Sequence, residues 1–143
     1  MLTHRTMPDD VPVPVLAYPS VSEAVAWLTE AFGFSFRWQI EEHRAQLGVG
    51  EHEALAITEG SLPSETTDHV MVRVADVEAH RVHAAAAGAI VGEAEDHFYG
   101  ERQYGATDFA GRTWIFTQSI ADLDPSEWGA RTDSAGAAAP TES

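Results

Sequence analysis

The sequence predicts an α+β fold of two successive βαβββ modules, and three observations predict it. Two segments, "VPVLAYPSVSEAVAWLTEAFGF" (13–34) and "HVMVRVADVEAHRVHAAAAGA" (69–89), share one layout: a short β-branched run, a polar cap, then an alanine-rich stretch ending at glycine. Val21 and Val77 are equivalent and 56 positions apart, while Gly33 and Gly88 are 55 apart, a period too long for a solenoid unit and consistent with duplication of a small module. Strand candidates with glycine and polar punctuation follow each helical stretch.

The first helix begins at Ser20, which forms a Ser-x-x-Glu capping box with Glu23. Val21, Ala24, Val25, Leu28 and Phe32 then recur at helical spacing, and Gly33 supplies a left-handed stop. "FSFRWQIEE" (34–42) alternates Phe34, Phe36, Trp38 and Ile40 against polar neighbours and predicts a half-buried strand. "HRAQLGVG" and "EALAITEG" follow as a hairpin around Gly50-Glu51-His52. In the second module Asp76 is the cap, Val77, His80 or Arg81, and Ala84 form the stripe, and Gly88 is the stop. "AIVGEAE", "RQYGATD" and "TWIFTQ" are its remaining strands, the last entered through the turn Asp108-Phe109-Ala110-Gly111. The domain therefore runs over 13–120, in modules 13–60 and 68–120. It is flanked by a flexible segment, 1–12, and a small, polar, largely disordered tail, 121–143, in which Pro125 to Trp128 form one helical turn with Trp128 packing back.

A chain of 143 residues with 44% apolar content can bury one core. There is no cysteine, which excludes disulfides and thiolate metal sites. No apolar run is long enough for a signal peptide or a spanning helix, so a cytoplasmic protein without membrane partners is expected. The 23 acidic residues outnumber 8 basic ones, all arginine, for a formal charge of −15; such a surface repels nucleic acid and attracts cations. No P-loop, dinucleotide fingerprint or nucleophile elbow occurs.

"VLAYPSVSEAVAWLTEAFGF", "HRAQLGVG", "VRVADVEAHRVHAAAAGA" and "YGERQYGATDFAGRTWIF", spread over roughly residues 13 to 118, resemble the vicinal oxygen chelate superfamily, which includes glyoxalase I, extradiol dioxygenases and bleomycin-resistance proteins. The similarity is greatest to its glyoxalase-like actinobacterial branch. The resemblance implies a curved mixed-sheet cup, completed by a homodimer partner. It also implies a divalent metal held by His, Gln or Glu from four strands. The positions that correspond here are Val13, the Ala56/Ile57 region, His69 and Ile115, of which His69 alone is a metal donor. One imidazole is not a site, since three or four donors are needed. The expectation is therefore no metal and no cofactor.

Alternation along 69–74 sends Val70, Val72 and Val74 toward the helices and His69, Met71 and Arg73 into the cup. In the last strand Trp114 and Phe116 face the helices, and Thr113, Ile115 and Thr117 face the cup. Trp38, Tyr99 and Tyr104 are candidate stacking surfaces, and Arg102 a candidate for the rim. The ligand-binding set expected from this reading is Trp38, His69, Met71, Arg73, Tyr104 and Ile115. Arg73 has two readings, an anion fork or a salt bridge to one of the many carboxylates. His69 is either a cup residue or a polar group bonded within the sheet. His80 and His83 share a helix face that reads as solvated surface.

The function expected is metal-independent binding of a small organic molecule, similar to the drug-sequestering bleomycin-resistance branch and antibiotic resistance. The rival is a lyase, isomerase or dioxygenase with a metal site rebuilt from His69 with Glu53 or Glu59. Between them stands a metal-free enzyme using His69 as base and Arg73 as anion clamp.

Overall fold

The computed structural model describes residues 12–62, 68–122, 124, 126 and 129. Segment 1–12 and tail 121–143, with the turn expected at Pro125 to Trp128, lie almost wholly outside the described residues.

The first module contains β1 (Val15–Tyr18), α1 (Val21–Phe32), β2 (Ser35–Ile40), β3 (Arg44–Val49) and β4 (Glu53–Glu59). The second contains β5 (Val70–Arg73), α2 (Val77–Ala86), β6 (Ile90–Val91), β7 (Glu95–His97), β8 (Glu101–Thr107) and β9 (Thr113–Ser119). The sheets are open and mixed, ordered β1-β4-β3-β2 and β5-β9-β8-β6, with β7 also on β8. In each, the first strand lies parallel to the last, β1 on β4 and β5 on β9, while the other pairs are antiparallel. The second strand expected of the second module is thus two short ones. Between them the Gly92 carbonyl accepts from Arg81 Nε at 2.7 Å, tying the interruption to α2.

Both helices start as the caps dictate. Ser20 Oγ accepts from the Glu23 amide at 3.1 Å, and an Asp76 carboxylate oxygen accepts from the Ala79 amide at 3.1 Å, interactions worth about 1 kcal/mol each. The equivalent residues Val21 and Val77 open the two helices and are both fully buried. Gly33 ends α1 with φ 80°, in the left-handed region a side chain resists. Gly88 is not itself the cap of α2; Ala87 is, and Gly88 follows with φ 109°.

The helices pack against one another, and one core crosses both modules. Phe32 at the end of α1 packs edge-on against Trp114 and Phe116 of β9, at centroid distances of 5.3 and 4.8 Å. Each large side chain so buried contributes about 1.5–3 kcal/mol. Two polar links reinforce this core. Asp108, 5% exposed, accepts from Tyr18 Oη at 2.7 Å and Trp114 Nε1 at 3.0 Å, and from the amides of Ala110 and Arg112. It therefore shapes the turn before β9 and joins that turn to β1. Burial next to this carboxylate pushes the Tyr18 phenol well above its usual pKa. Arg112 lies over the Tyr18 ring and donates to the Ala17 carbonyl at 2.7 Å.

The second link corrects the reading of His80 as solvated surface, while His83 is exposed as expected. His80 Nε2 lies 3.0 Å from the Phe32 carbonyl, its Nδ1 is 2.6 Å from Tyr104 Oη, and its ring lies 4.2 Å from that of Phe116. His83 Nε2 reaches the Glu30 carbonyl at 2.8 Å. Two imidazoles of α2 thus meet the unpaired carbonyls ending α1. Burial is the main cause that lowers the His80 pKa. Among the described residues no helix is long and apolar enough to cross a membrane.

Candidate functional site

Each sheet has a helix face and a far face, and cross-strand partners share a face. On the far face of the second sheet, Met71 pairs with Ile115 and Ile115 with Gly105, while Arg73 pairs with Thr117 and Thr117 with Gln103. Val72, Trp114 and Phe116 occupy the helix face and are buried. The alternation therefore places Met71, Arg73 and Ile115 side by side. His69 precedes β5 and is exposed.

The polar groups of this face close on each other. Arg73 Nη1 lies 3.1 and 3.3 Å from the two carboxylate oxygens of Glu101. Glu101 also accepts from Thr117 Oγ1 at 2.6 Å; Thr117 in turn accepts from Gln103 Nε2 at 3.1 Å, and Gln103 Oε1 accepts from Tyr99 Oη at 3.3 Å. Of the two readings of Arg73, the salt bridge is the one realised. The Arg73 side chain is 61% exposed, so the pair contributes no more than about 1 kcal/mol, and the guanidinium's charge is already met. Met71 and Arg73 also line a groove of about 510 Å³ between β5 and the β3–β4 hairpin, with Glu51 and His52 opposite and Leu55 and Pro14 in its walls.

Two expected members lie elsewhere. Tyr104 is not at a rim: it is 2% exposed on the helix face, stacked on Phe116 and bonded to His80. One step of alternation separates it from Gln103, which does face the far side, and burial raises its phenol pKa. Arg102 shares the helix-face row and pairs with Asp96 at 2.6 Å. Trp38 stands on β2, at an edge of the other sheet, and does not line the β5 groove.

The expected stripe Phe34-Phe36-Trp38-Ile40 is also broken. Phe36 pairs with Leu47 but Trp38 with Gln46, so β2 carries one extra residue, Arg37, as a bulge. Phe36 shares the helix face with Leu47, whereas Trp38 and Ile40 fall on the far face with Gln46 and Arg44. There a row runs Val15, Ala56, Gln46, Trp38 across all four strands. Beside it lie Ala54 and Gly48, and a Cβ on Gly48 would stand 2.5 Å from Ser35 Oγ, so a side chain there would require the Ser35 hydroxyl to turn away. Gln46 is 2% exposed and its Oε1 has no hydrogen-bond partner. The sequence reading missed Gln46. Its signal was a polar residue between Ala45 and Leu47 in an otherwise apolar strand.

The residues at the metal positions do not fit a metal. Ala56 lies on the far face beside Val15, Ile57 is buried on the helix face, and Ile115 lies between Met71 and Gly105. Glu53 and Glu59 stand at opposite ends of β4, roughly 20 Å apart at the rise of a strand, so no more than one of them could join His69. Among the described residues no three His, Asp or Glu side chains converge on one point.

Residues 11–116 match the family model of the Glyoxalase/Bleomycin resistance protein/Dioxygenase superfamily. No curated protein matches the chain. Among solved structures, TioX from Micromonospora sp. ML1 is 28% identical, with a TM-score of 0.65 over 80% of this chain and 100% of its own. The fosfomycin resistance protein FosX from Listeria monocytogenes is 16% identical, with a TM-score of 0.65 over 79% and 95% of the two chains. The bleomycin-binding protein of Streptomyces verticillus, solved with copper(II)-bleomycin, is 18% identical, with a TM-score of 0.57 over 78% and 95%.

Proposed function

The chain belongs to the glyoxalase/bleomycin resistance/dioxygenase superfamily, and from that premise we propose that it binds a small organic molecule on its far faces without a metal and without transforming it. The observation that carries this reading is the apolar character of the positions where the family's ligands would stand. Val13, Ala56 and Ile115 offer no metal-donor atoms. The groove beside β5 is of a size that suits a small ligand, with apolar walls and a few polar points. A bleomycin-binding protein and fosfomycin-resistance proteins share the fold, which supports a drug or drug-like compound as the class of ligand.

The far faces leave Val15, Ile40 and Met71 more than half exposed, which supports a homodimer in which a second copy completes the site. Light scattering of the purified protein checks the dimer. The binding reading is tested by calorimetric titration with metal-free bleomycin, fosfomycin and a series of small α-keto and hydroxy acids, with mass spectrometry of each mixture afterwards. Saturable binding that leaves the compound unchanged is expected. Conversion of any of them would replace this reading with an enzymatic one.

A further inference from the structure

We propose that the outer edge of β5 is the recognition element of the groove, where the backbone of Met71 and Arg73 takes up a short, extended, peptide-like compound carrying an amine. This rests on the binding reading above and names the class of ligand. Val70, Met71, Val72 and Arg73 all line the groove, although alternation sends them to opposite faces of the sheet. Four consecutive residues share one wall where that wall is the edge of their strand. β5 ends its sheet and pairs with β9 alone. The Val74 amide donates to the Thr117 carbonyl at 2.8 Å, and Arg73 is the residue opposite Thr117. In a parallel ladder this phase turns the backbone groups of Val72 toward β9 and those of Met71 and Arg73 outward. Among the described residues no backbone group meets those outward N–H and C=O groups.

The surroundings define the class. The chain entering β1 also lines the groove, but through Pro12 and Pro14, which have no N–H to offer. Proline blunts an edge against pairing, and β5 contains none. An unblunted edge beside a cavity is how a sheet accepts an extended chain as an added strand. β5 has four residues and only Met71 and Arg73 turned outward, which gives room for two or three amide units and not for a long strand. The groove, about 510 Å³, is of the same scale. Charge selects within the class. Arg73 is already matched by Glu101, while the β3–β4 hairpin adds the carboxylates of Glu51 and Glu53. Glu51 has beside it only the imidazole of His52, at 3.7 Å. Met71, Leu55 and Val49 supply apolar wall. An extended amide backbone with one cationic group and apolar flanks fits these constraints.

The test uses the full chain, amide hydrogen exchange read by NMR, and the peptide acetyl-Val-Lys-Val N-methylamide. In the free protein the amides of Met71 and Arg73 should exchange faster than those of Val72 and Val74. Saturating peptide should slow the first pair by about tenfold or more and leave the second pair unchanged. The same peptide methylated on every backbone nitrogen should give no protection and bind at least about tenfold more weakly. Replacing its lysine by norleucine should weaken binding about threefold at low salt, as should Glu51→Gln combined with Glu53→Gln. Met71→Pro removes the outward N–H without touching the ladder to β9, so it should abolish binding with the melting temperature little changed. Met71→Ala keeps that N–H and should retain most of the binding. If Met71→Pro does not fold, the methylated peptide makes the same test on wild type. Slow exchange of the Met71 and Arg73 amides in the free protein overturns the proposal, because the edge would then already be covered. So does equal binding of the methylated peptide. If the peptide does not bind but bleomycin, fosfomycin or one of the acids does, and both amides stay fast, the edge assignment falls and the binding reading stands. If nothing binds, both fall.

Discussion

The two far faces come from equivalent modules yet treat polar atoms in opposite ways. In the second sheet Arg73, Glu101, Thr117, Gln103 and Tyr99 form a chain in which each group answers the next. In the first, a single amide sits among alanines and glycine with its carbonyl unanswered. The difference teaches that duplication preserved the backbone and left the floors free to diverge. A floor whose polar groups satisfy one another gains order, and a floor with an unmet acceptor gives up some stability.

The largest effect should come from breaking what holds the two floors in one molecule. Asp108→Ala strands the Tyr18 hydroxyl and the Trp114 indole N–H in the core and should cost about 3 kcal/mol or more, measured by urea denaturation. If the modules depend on this link, their transitions should also separate, visible as fluorescence and circular dichroism midpoints that no longer coincide. A loss under 1 kcal/mol would mean that the aromatic core alone couples them.

Glu101→Leu sharpens the contrast directly. It removes the acceptor shared by Arg73 and Thr117 and should cost about 1–2 kcal/mol, against no loss for Gln46→Leu. Equal costs for the two substitutions would erase the distinction between the floors.

A smaller effect is expected from His80, which serves both modules. Its pKa is lowered in the fold, so the folded protein holds fewer protons there than the unfolded chain. That contribution is complete above the unfolded imidazole pKa near 6.5 and is lost as pH falls below it toward the folded value. The urea midpoint should therefore fall between pH 7 and pH 5, and His80→Asn should flatten that slope. An unchanged slope would show that other groups set it. Smallest of all, Arg73→Gln should change stability by less than about 1 kcal/mol, since the guanidinium is mostly in water.

The repeated module, both helix starts and the hairpins were legible because caps, periodicity and glycine stops are local signals. Alternation also placed Met71, Arg73 and Ile115 on one face, where short strands run without interruption. It failed where the period itself changed. Nothing in "FSFRWQI" announces a bulge, so Trp38 was grouped with Phe34 and Phe36. Tyr104 was misplaced because it was weighed by residue type and not by its register against Phe116. His80 read as surface because its partner is a carbonyl of another helix about fifty positions away, and no local pattern encodes such a contact. Gln46 showed in the sequence only as a polar residue between Ala45 and Leu47; its unpartnered carbonyl exists only once the sheet is assembled.

The bulge in β2 carries a consequence for how such a chain can evolve. Arg37 is the one residue that puts the rest of the strand out of step. Deleting it would join Phe36 directly to Trp38, and strict alternation would then keep Trp38 opposite Gln46, with Gln39 still opposite Ala45. A single lost codon there would thus leave the rows of both faces as they are. The strand can change its length at this point without changing its faces, whereas a slip of one residue in the pairing would carry Trp38 under the helix.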